Sequence, residues 1–210
     1  MSDPTQRSAG PAGDRVPIAC LIVFVVVWTA LAIAPRYRAD WLLENLLTAL
    51  VVPALVLTYH RFRFSDRAYV QMTVFLLLHT VGSHYTYSEV PLGDWVRDAL
   101  HLSRNHYDRL VHFLFGLLFL RPLRELTLGD ARGLGRVATA WLSIASIATL
   151  SLSYELMEWI TAVLADPEAG TAFLGTQGDV WDAQKDTALA LGGAILALLL
   201  EPSPKRPDLS

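Results

Sequence analysis

The sequence has few features that would stabilise the fold by covalent crosslinks or attract a binding partner by charge. A single cysteine, Cys20, excludes a framework of intrachain disulfides. Only 18% of the 210 residues are charged and the net charge is −3, so we expect no nucleic-acid partner. No HExxH or CxxC motif is present, which excludes the metal sites that those patterns form. No internal repeat stands out, and we expect one domain.

Hydrophobic residues, in contrast, make up 53% of the chain and are gathered in long runs. A helix needs about 20 apolar residues to cross roughly 30 Å of hydrocarbon. We therefore predict an all-α, polytopic transmembrane helical bundle of about six spans, in which the fourth run is short for a complete crossing. The runs are 17–34, 41–59, 68–83, 108–120, 137–164 and 183–200. The first run is too long for the core of a cleaved signal and is taken as a retained span. The single transmembrane domain covers 16–201, between disordered tails at 1–15 and 202–210.

The basic residues predict the orientation, because short cytoplasmic loops hold the excess of Lys and Arg. With six spans, eleven basic residues share a side with both termini and six lie on the other side, so both termini are expected in the cytoplasm. The connections at 84–107 and 166–181 then lie outside. In the first of them, Asp94 is predicted to cap a short interfacial helix with Trp95, Val96, Ala99 and Leu100 on its apolar face.

Acidic and histidine residues recur at helical spacing beside or inside the apolar runs. At 1.5 Å of rise per residue, the spans bring them all into the outer third of the bilayer, where each must turn away from lipid. We predict one polar chamber, open to the outside. The candidate catalytic residues are Asp108, His112, Glu155, Glu158, Asp182 and Asp186.

Some of these residues also have an ordinary structural explanation. Asp108, Asp179 and Asp182 lie at helix starts, where capping and the helix dipole favour an acidic side chain without any function. Glu155 and Glu158 have no helix end to cap and lie between apolar residues. Because intramembrane carboxylates usually mark a site, this pair favours a functional interpretation.

The chamber suits two kinds of chemistry. Mixed histidine and carboxylate ligands from separate helices hold divalent metals in bundle proteins, and zinc, manganese or iron would fit such a set. The candidate metal ligands are His84, Asp108, His112, Glu155 and Glu158. Without a metal, one protonated carboxyl and one ionised neighbour could act as general acid and base.

At the outer leaflet, either chemistry would suit a lipid or lipid-linked substrate, with the bilayer itself as the surrounding partner. The candidates for binding it are His79, His84, Tyr85, Tyr87, Arg109, Tyr154, Gln177 and Asp179. Two alternatives stay open: a transporter or permeation protein that uses the same carboxylates for a cation or for protons, and a non-catalytic structural membrane protein.

Four strings resemble the YjdF-like bacterial inner-membrane proteins. They are HTVGSHYTY at 79–87, RNHYDR at 104–109 followed by His112, YE with EW at 154–159, and FLGTQGDVWD at 173–182. The resemblance implies a multi-pass protein of the bacterial plasma (inner) membrane, and no established reaction comes with it. A more distant likeness is to VanZ-like proteins, from which the chain departs at Ala190 and Leu191, where those proteins tend to carry Asn.

Overall fold

The computed structural model of the protein describes residues 14–130, 135–164 and 175–200. Within these residues there are seven helices and no strand, which confirms the predicted all-α class. The helices are α1 (Arg15–Leu31), α2 (Arg38–Thr58), α3 (Asp66–Tyr85), α4 (Pro91–Ala99), α5 (Tyr107–Asp130), α6 (Arg136–Leu164) and α7 (Asp182–Leu200). The predicted tails lie outside the described residues except for Asp14 and Arg15, and Arg15 already begins α1.

The first three helices alternate in direction. The Tyr59 hydroxyl at the end of α2 donates to Asp14 before α1, at 2.5 Å. At the other end of α1, the Leu31 carbonyl accepts from His84 of α3, at 2.7 Å. Thus α1 and α3 run in the same direction, and α2 runs against them.

Helix α5 lies at the centre of the bundle and packs on α3, α6 and α7. It runs against α3, because Glu125 late in α5 accepts from the Ser65 hydroxyl before α3, at 2.6 Å. It also runs against α6, since His112 early in α5 lies beside Glu155 late in α6. The first turn of α7 lies beside the start of α5, because Arg109 of α5 pairs with Asp182 of α7. The amino-terminal ends of α2, α5 and α7 therefore meet the carboxyl-terminal ends of α1, α3 and α6. We call this end of the bundle the site end.

Helices α2, α6 and α7 are long and apolar enough to cross a membrane, as judged by length and composition, and α1 is a shorter apolar helix of 17 residues. Helices α3 and α5 have 20 and 24 residues but carry more polar and charged groups. The outward faces hold large apolar side chains such as Leu57 and Trp141, whereas the interior buries Asn45, Thr48 and Ser143. An apolar outside around a polar inside is the pattern expected of a bundle in lipid.

Two glycines allow α5 and α7 to pack closely against each other. A Cβ atom on Gly116 of α5 would collide with the Ala190 carbonyl of α7, and one on Gly193 would collide with the Phe113 carbonyl of α5. Small residues permit this close approach of backbones in membrane bundles. The consequence for the site is that the amino-terminal turns of α5 and α7 are held side by side.

Two helix boundaries differ from the sequence-based expectation. Helix α4 begins at Pro91 rather than at Asp94, because proline is well suited to the first helical position. Asp94 accepts instead from Arg97 and Asn105. Helix α5 continues beyond the apolar run 108–120, through Pro122 to Asp130. The helix is therefore longer than the apolar run from which it is predicted.

Candidate functional site

Three aspartates form the centre of the site. Asp108 in the first turn of α5 faces Asp182 and Asp186 in the first two turns of α7, and one carboxylate oxygen from each lies within 4.8 Å of the others. Oxygen ligands on opposite sides of a divalent ion are about 4–5 Å apart, so this spacing fits a shared cation. Asp186 is 1% exposed, and its Oδ1 has no hydrogen-bond partner within the described part of the chain.

A histidine joins these aspartates to α6. The Nε2 atom of His112 lies 3.6 Å from Asp108 Oδ1 and 3.3 Å from Glu155 Oε1, and its Nδ1 lies 3.4 Å from the Ser151 hydroxyl. Glu155 is 9% exposed, and its Oε1 makes no hydrogen bond among the described residues. The pairs predicted from spacing on three separate helices thus lie next to one another.

A further carboxyl group comes from α2. Glu44 is buried and accepts a hydrogen bond from the Tyr154 hydroxyl of α6. Glu158, one turn after Tyr154, is close enough to interact electrostatically with Glu44, Asp108 and Glu155. The acidic groups therefore continue from α7 across α5 and α6 to α2.

Two arginines form ion pairs with aspartates where the loops meet the site. Arg104 pairs with Asp182 through both of its terminal nitrogens, and Arg109 pairs with Asp179 and also with Asp182, at 3.2 Å. Lys185 donates to Asp179 at 2.5 Å. This hydrogen bond, the Trp181 amide and the Arg109 guanidinium hold the pKa of Asp179 well below its usual range. Burial and the two neighbouring arginines lower the pKa of His106.

The loops before α5 and before α7 are locked together by amide hydrogen bonds. The Gln177 side chain accepts from the Asn105 backbone amide at 2.9 Å and donates to the Asn105 carbonyl at 3.0 Å. Arg104 adds a bond to the Thr176 carbonyl at 3.0 Å. Gly178 has a φ of 85°, which favours glycine. Gln177 thus has a structural role, because its side chain holds the two loops together. This role is separate from the predicted contact with a substrate.

The histidines of α3 differ in their surroundings. His79 is buried, and its Nε2 donates to the Glu44 carbonyl at 3.2 Å, so its Nδ1 accepts from the Tyr87 hydroxyl at 2.5 Å. His84 donates to the Leu31 carbonyl and packs against the Tyr85 ring. The structure therefore brings His79 and Tyr87 to Glu44. His84 faces α1, and Tyr85 packs on the apolar cluster that includes Val90 and Tyr107.

The group best placed for a metal differs from the set named from the sequence. Asp108 belongs to both, and His112 and Glu155 lie beside the three aspartates. Asp182 and Asp186 take the place that His84 had in the prediction. His84 was chosen from its depth alone, and depth does not say which neighbour a side chain faces.

Sequence reasoning missed Glu44 and Arg104 as site residues. Glu44 stands between Leu43 and Asn45 inside the second apolar run, so the rule that intramembrane carboxylates mark sites would have found it. Arg104 lies in a loop, and its pairing with Asp182 depends on a contact across 78 residues of sequence. No local pattern signals that contact.

Among the described residues of the site, carboxyl groups outnumber the cationic groups that pair with them. The site contains six carboxyl groups, of which Asp182 pairs with the guanidinium groups of Arg104 and Arg109; the six are Glu44, Asp108, Glu155, Glu158, Asp182 and Asp186. Carboxylates in a low dielectric cannot all stay ionised without compensation. Protons or a bound cation must neutralise the excess, and this is the main chemical property of the site.

Comparison with known proteins agrees with the membrane character of the chain. The family described as "Predicted membrane protein (DUF2238)" matches residues 16–202. The chain is also 35% identical over 181 residues to "Inner membrane protein YjdF" of Escherichia coli (strain K12), covering 86% of this chain and 85% of that protein. The YjdF-like resemblance is thereby confirmed, and nothing in these comparisons bears on the VanZ-like one. No solved structure matches the chain.

Proposed function

The chain belongs to the DUF2238 family of membrane proteins, and from this premise we propose that it is a cation-dependent enzyme of the bacterial inner membrane. Its site end would face the outside, and its substrate would be a lipid-linked or envelope molecule. The observation that carries the proposal is the group of Asp108, Asp182 and Asp186, of which the last two are buried and one oxygen from each lies within 4.8 Å of the others.

The ligand chemistry supports a divalent ion. Asp186 is almost fully buried and keeps Oδ1 without a partner among the described residues, and a bound cation would satisfy it. Carboxylate oxygens with a nearby imidazole suit manganese, zinc or iron. Arg104 and Arg109 already compensate Asp182, so Asp108 and Asp186 are the stronger candidate ligands.

The neighbouring groups supply acid and base. Glu155 is in contact with His112 rather than with an arginine, and its Oε1 has no hydrogen bond within the described ranges. A cation held by Asp108 and Asp186 would supply a more acidic bound water, and Glu155 is the neighbouring carboxylate that would serve as general base. Hydrolysis or transfer at a headgroup of the outer leaflet fits these parts.

Transport by the same groups is the alternative, and the packing below the site favours the enzyme. Leu120, Ile147 and Ala194 are fully buried and form an apolar cluster between the site end and the opposite end. In the described part of the bundle, this cluster interrupts the polar groups along α5, α6 and α7.

Elemental analysis tests the cation site. Wild-type protein, purified in detergent without chelator and offered manganese, zinc and iron, is expected to keep stoichiometric metal after dialysis. The double variant Asp108→Asn, Asp186→Asn should lose it. Added metal at about 100 times its Kd should stabilise the wild type by about 2.7 kcal/mol in thermal unfolding and leave the variant unchanged.

The matched control is Asp66→Asn, Asp98→Asn, which also removes two acidic groups. Both of these aspartates are exposed, and each pairs with a nearby arginine. The control should keep its metal. A wild type that retains no metal under any of these conditions, or a control that loses as much as the site variant, would refute the proposal.

A further inference from the structure

An apolar cavity of about 270 Å³ lies directly beneath the site, between α2, α3, α5 and α6. Its polar lining residues include His112 and Tyr154, which contact carboxyl groups of the site, as well as His79, Ser151 and Ser153. Along α5 the cavity extends from Val111 to Phe119, and Phe115, Phe75 and Val51 add to its apolar wall. Eight residues of α5 correspond to a depth of about 12 Å at 1.5 Å of rise per residue.

The cavity touches the site through His112. One face of this imidazole lines the cavity, while its Nε2 lies 3.6 Å from Asp108 and 3.3 Å from Glu155. Tyr154 makes a second link, because its ring lines the cavity and its hydroxyl bonds to Glu44. A molecule in the cavity would therefore have an apolar part along α5 and would meet carboxyl groups at one end.

The side of the cavity between α2 and α6 is open. Leu150 and Ser153 of α6 line it and are exposed, and Leu47 and Val51 line it from α2. Both helices are long and apolar enough to cross a membrane, so this opening faces hydrocarbon rather than water. A ligand would enter sideways from the bilayer.

We infer that this cavity holds one hydrocarbon chain of a membrane lipid, with the polar head of the same lipid placed against the carboxyl groups of the site. Water is a poor occupant because a buried water needs several polar partners, and most of the lining residues are apolar. A helix from a partner is too wide, at about 10–12 Å across. The inference rests on the proposed function for what happens to the head, and it names a long-chain amphiphile as the substrate class.

Photolabelling tests whether the hydrocarbon chain of a lipid lies in the cavity. The protein is placed in nanodiscs of phosphatidylcholine and phosphatidylglycerol in which part of the phosphatidylglycerol carries a diazirine in its acyl chain. After irradiation, labelled residues are mapped by mass spectrometry. We expect label on Phe115 and Phe119, which face the cavity, besides the outward residues Leu152 and Leu156. Label confined to outward residues would overturn the inference.

A blocking variant sharpens the test. Ser153→Trp puts an indole at the mouth of the cavity, and the position is exposed enough for the fold to tolerate it. Labelling of Phe115 and Phe119 should fall about tenfold, as expected for about 1.4 kcal/mol of lost affinity. The control Leu152→Trp, on the adjacent outward position, should leave that labelling unchanged. Equal labelling in both variants would contradict the inference.

These experiments distinguish a failure of the proposed cation site from a failure of the proposed lipid site. The variant Asp108→Asn, Asp186→Asn should lose metal and keep label on Phe115, whereas Ser153→Trp should keep metal and lose the label. Cavity labelling in a protein that binds no metal would support the lipid site and refute the cation site. Metal binding without cavity labelling would refute the lipid site alone.

Discussion

Arg104 and Asp182 show how single residues hold the site together. Both are nearly fully buried, at 5% and 6% exposure, and the pair joins the loop before α5 to the first turn of α7. Arg104 also binds the Thr176 carbonyl, so one guanidinium connects two loops and a helix. A buried charge left without its partner is costly, whereas a buried pair adds little net stability.

We therefore expect Arg104→Met to lower the free energy of unfolding by about 3 kcal/mol, at the low end for a broken buried pair because Arg109 still reaches Asp182. The double variant Arg104→Met, Asp182→Leu should recover most of this loss, since no lone charge remains. Arg36→Met serves as the control, because Arg36 pairs with Glu89 near the surface and such pairs contribute about 0–1 kcal/mol. Thermal unfolding in detergent measures all three. A double variant no more stable than Arg104→Met would contradict this account.

At the scale of elements, the contact between α5 and α7 positions the aspartates. The helices approach through Gly116 and Gly193, where any side chain would meet the carbonyl of the other helix. The first turns of both helices follow this contact toward the site end, and Asp108 lies one turn from His112 and two turns from Gly116. A small separation of the helices should therefore move Asp108 away from Asp186.

Neighbouring glycines of α7 offer a matched comparison. Gly193→Ala should destabilise the protein and reduce metal retention, because its new methyl group collides with the Phe113 carbonyl. Gly192→Ala should be neutral or stabilising by up to about 1 kcal/mol, since nothing lies within 4 Å of its Cβ position and alanine is the better helix former. Thermal unfolding and elemental analysis of the two variants check both effects. Equal behaviour of the pair would show that helix separation does not control the site.

At the scale of the whole molecule, the alternation of helix directions gives the bundle two different ends. The site end holds the aspartates, both loops and α4, whose Leu92 and Trp95 are exposed as in an interfacial helix. The opposite end holds Asp14, Ser65 and Glu125. The basic residues of the sequence predict that the opposite end lies in the cytoplasm.

Cysteine accessibility tests that orientation. In a Cys20→Ser background, Asp98→Cys adds a thiol in exposed α4 at the site end, and Arg61→Cys adds one at the opposite end. A membrane-impermeant maleimide added to intact spheroplasts should label the first and not the second. Permeabilised cells should label both, which controls for reactivity. Labelling of the Arg61 variant alone would place the site end in the cytoplasm and refute an outward-facing enzyme.

Local properties of the sequence predict the class of the protein and the helical pairs of its candidate site. Apolar run length predicts membrane helices, and helical spacing identifies pairs such as Asp108 with His112, because both properties depend only on neighbours along one helix. Only the tertiary structure decided that Arg104 and Glu44 join these pairs and that His84 turns to the Leu31 carbonyl instead. Such contacts depend on how each helix is rotated and on how loops close across many residues, and neither is written in a local pattern. The acidic pairs and a shared polar chamber thus follow from sequence, whereas the centre formed by Asp108, Asp182 and Asp186 and the cavity beneath it follow from packing.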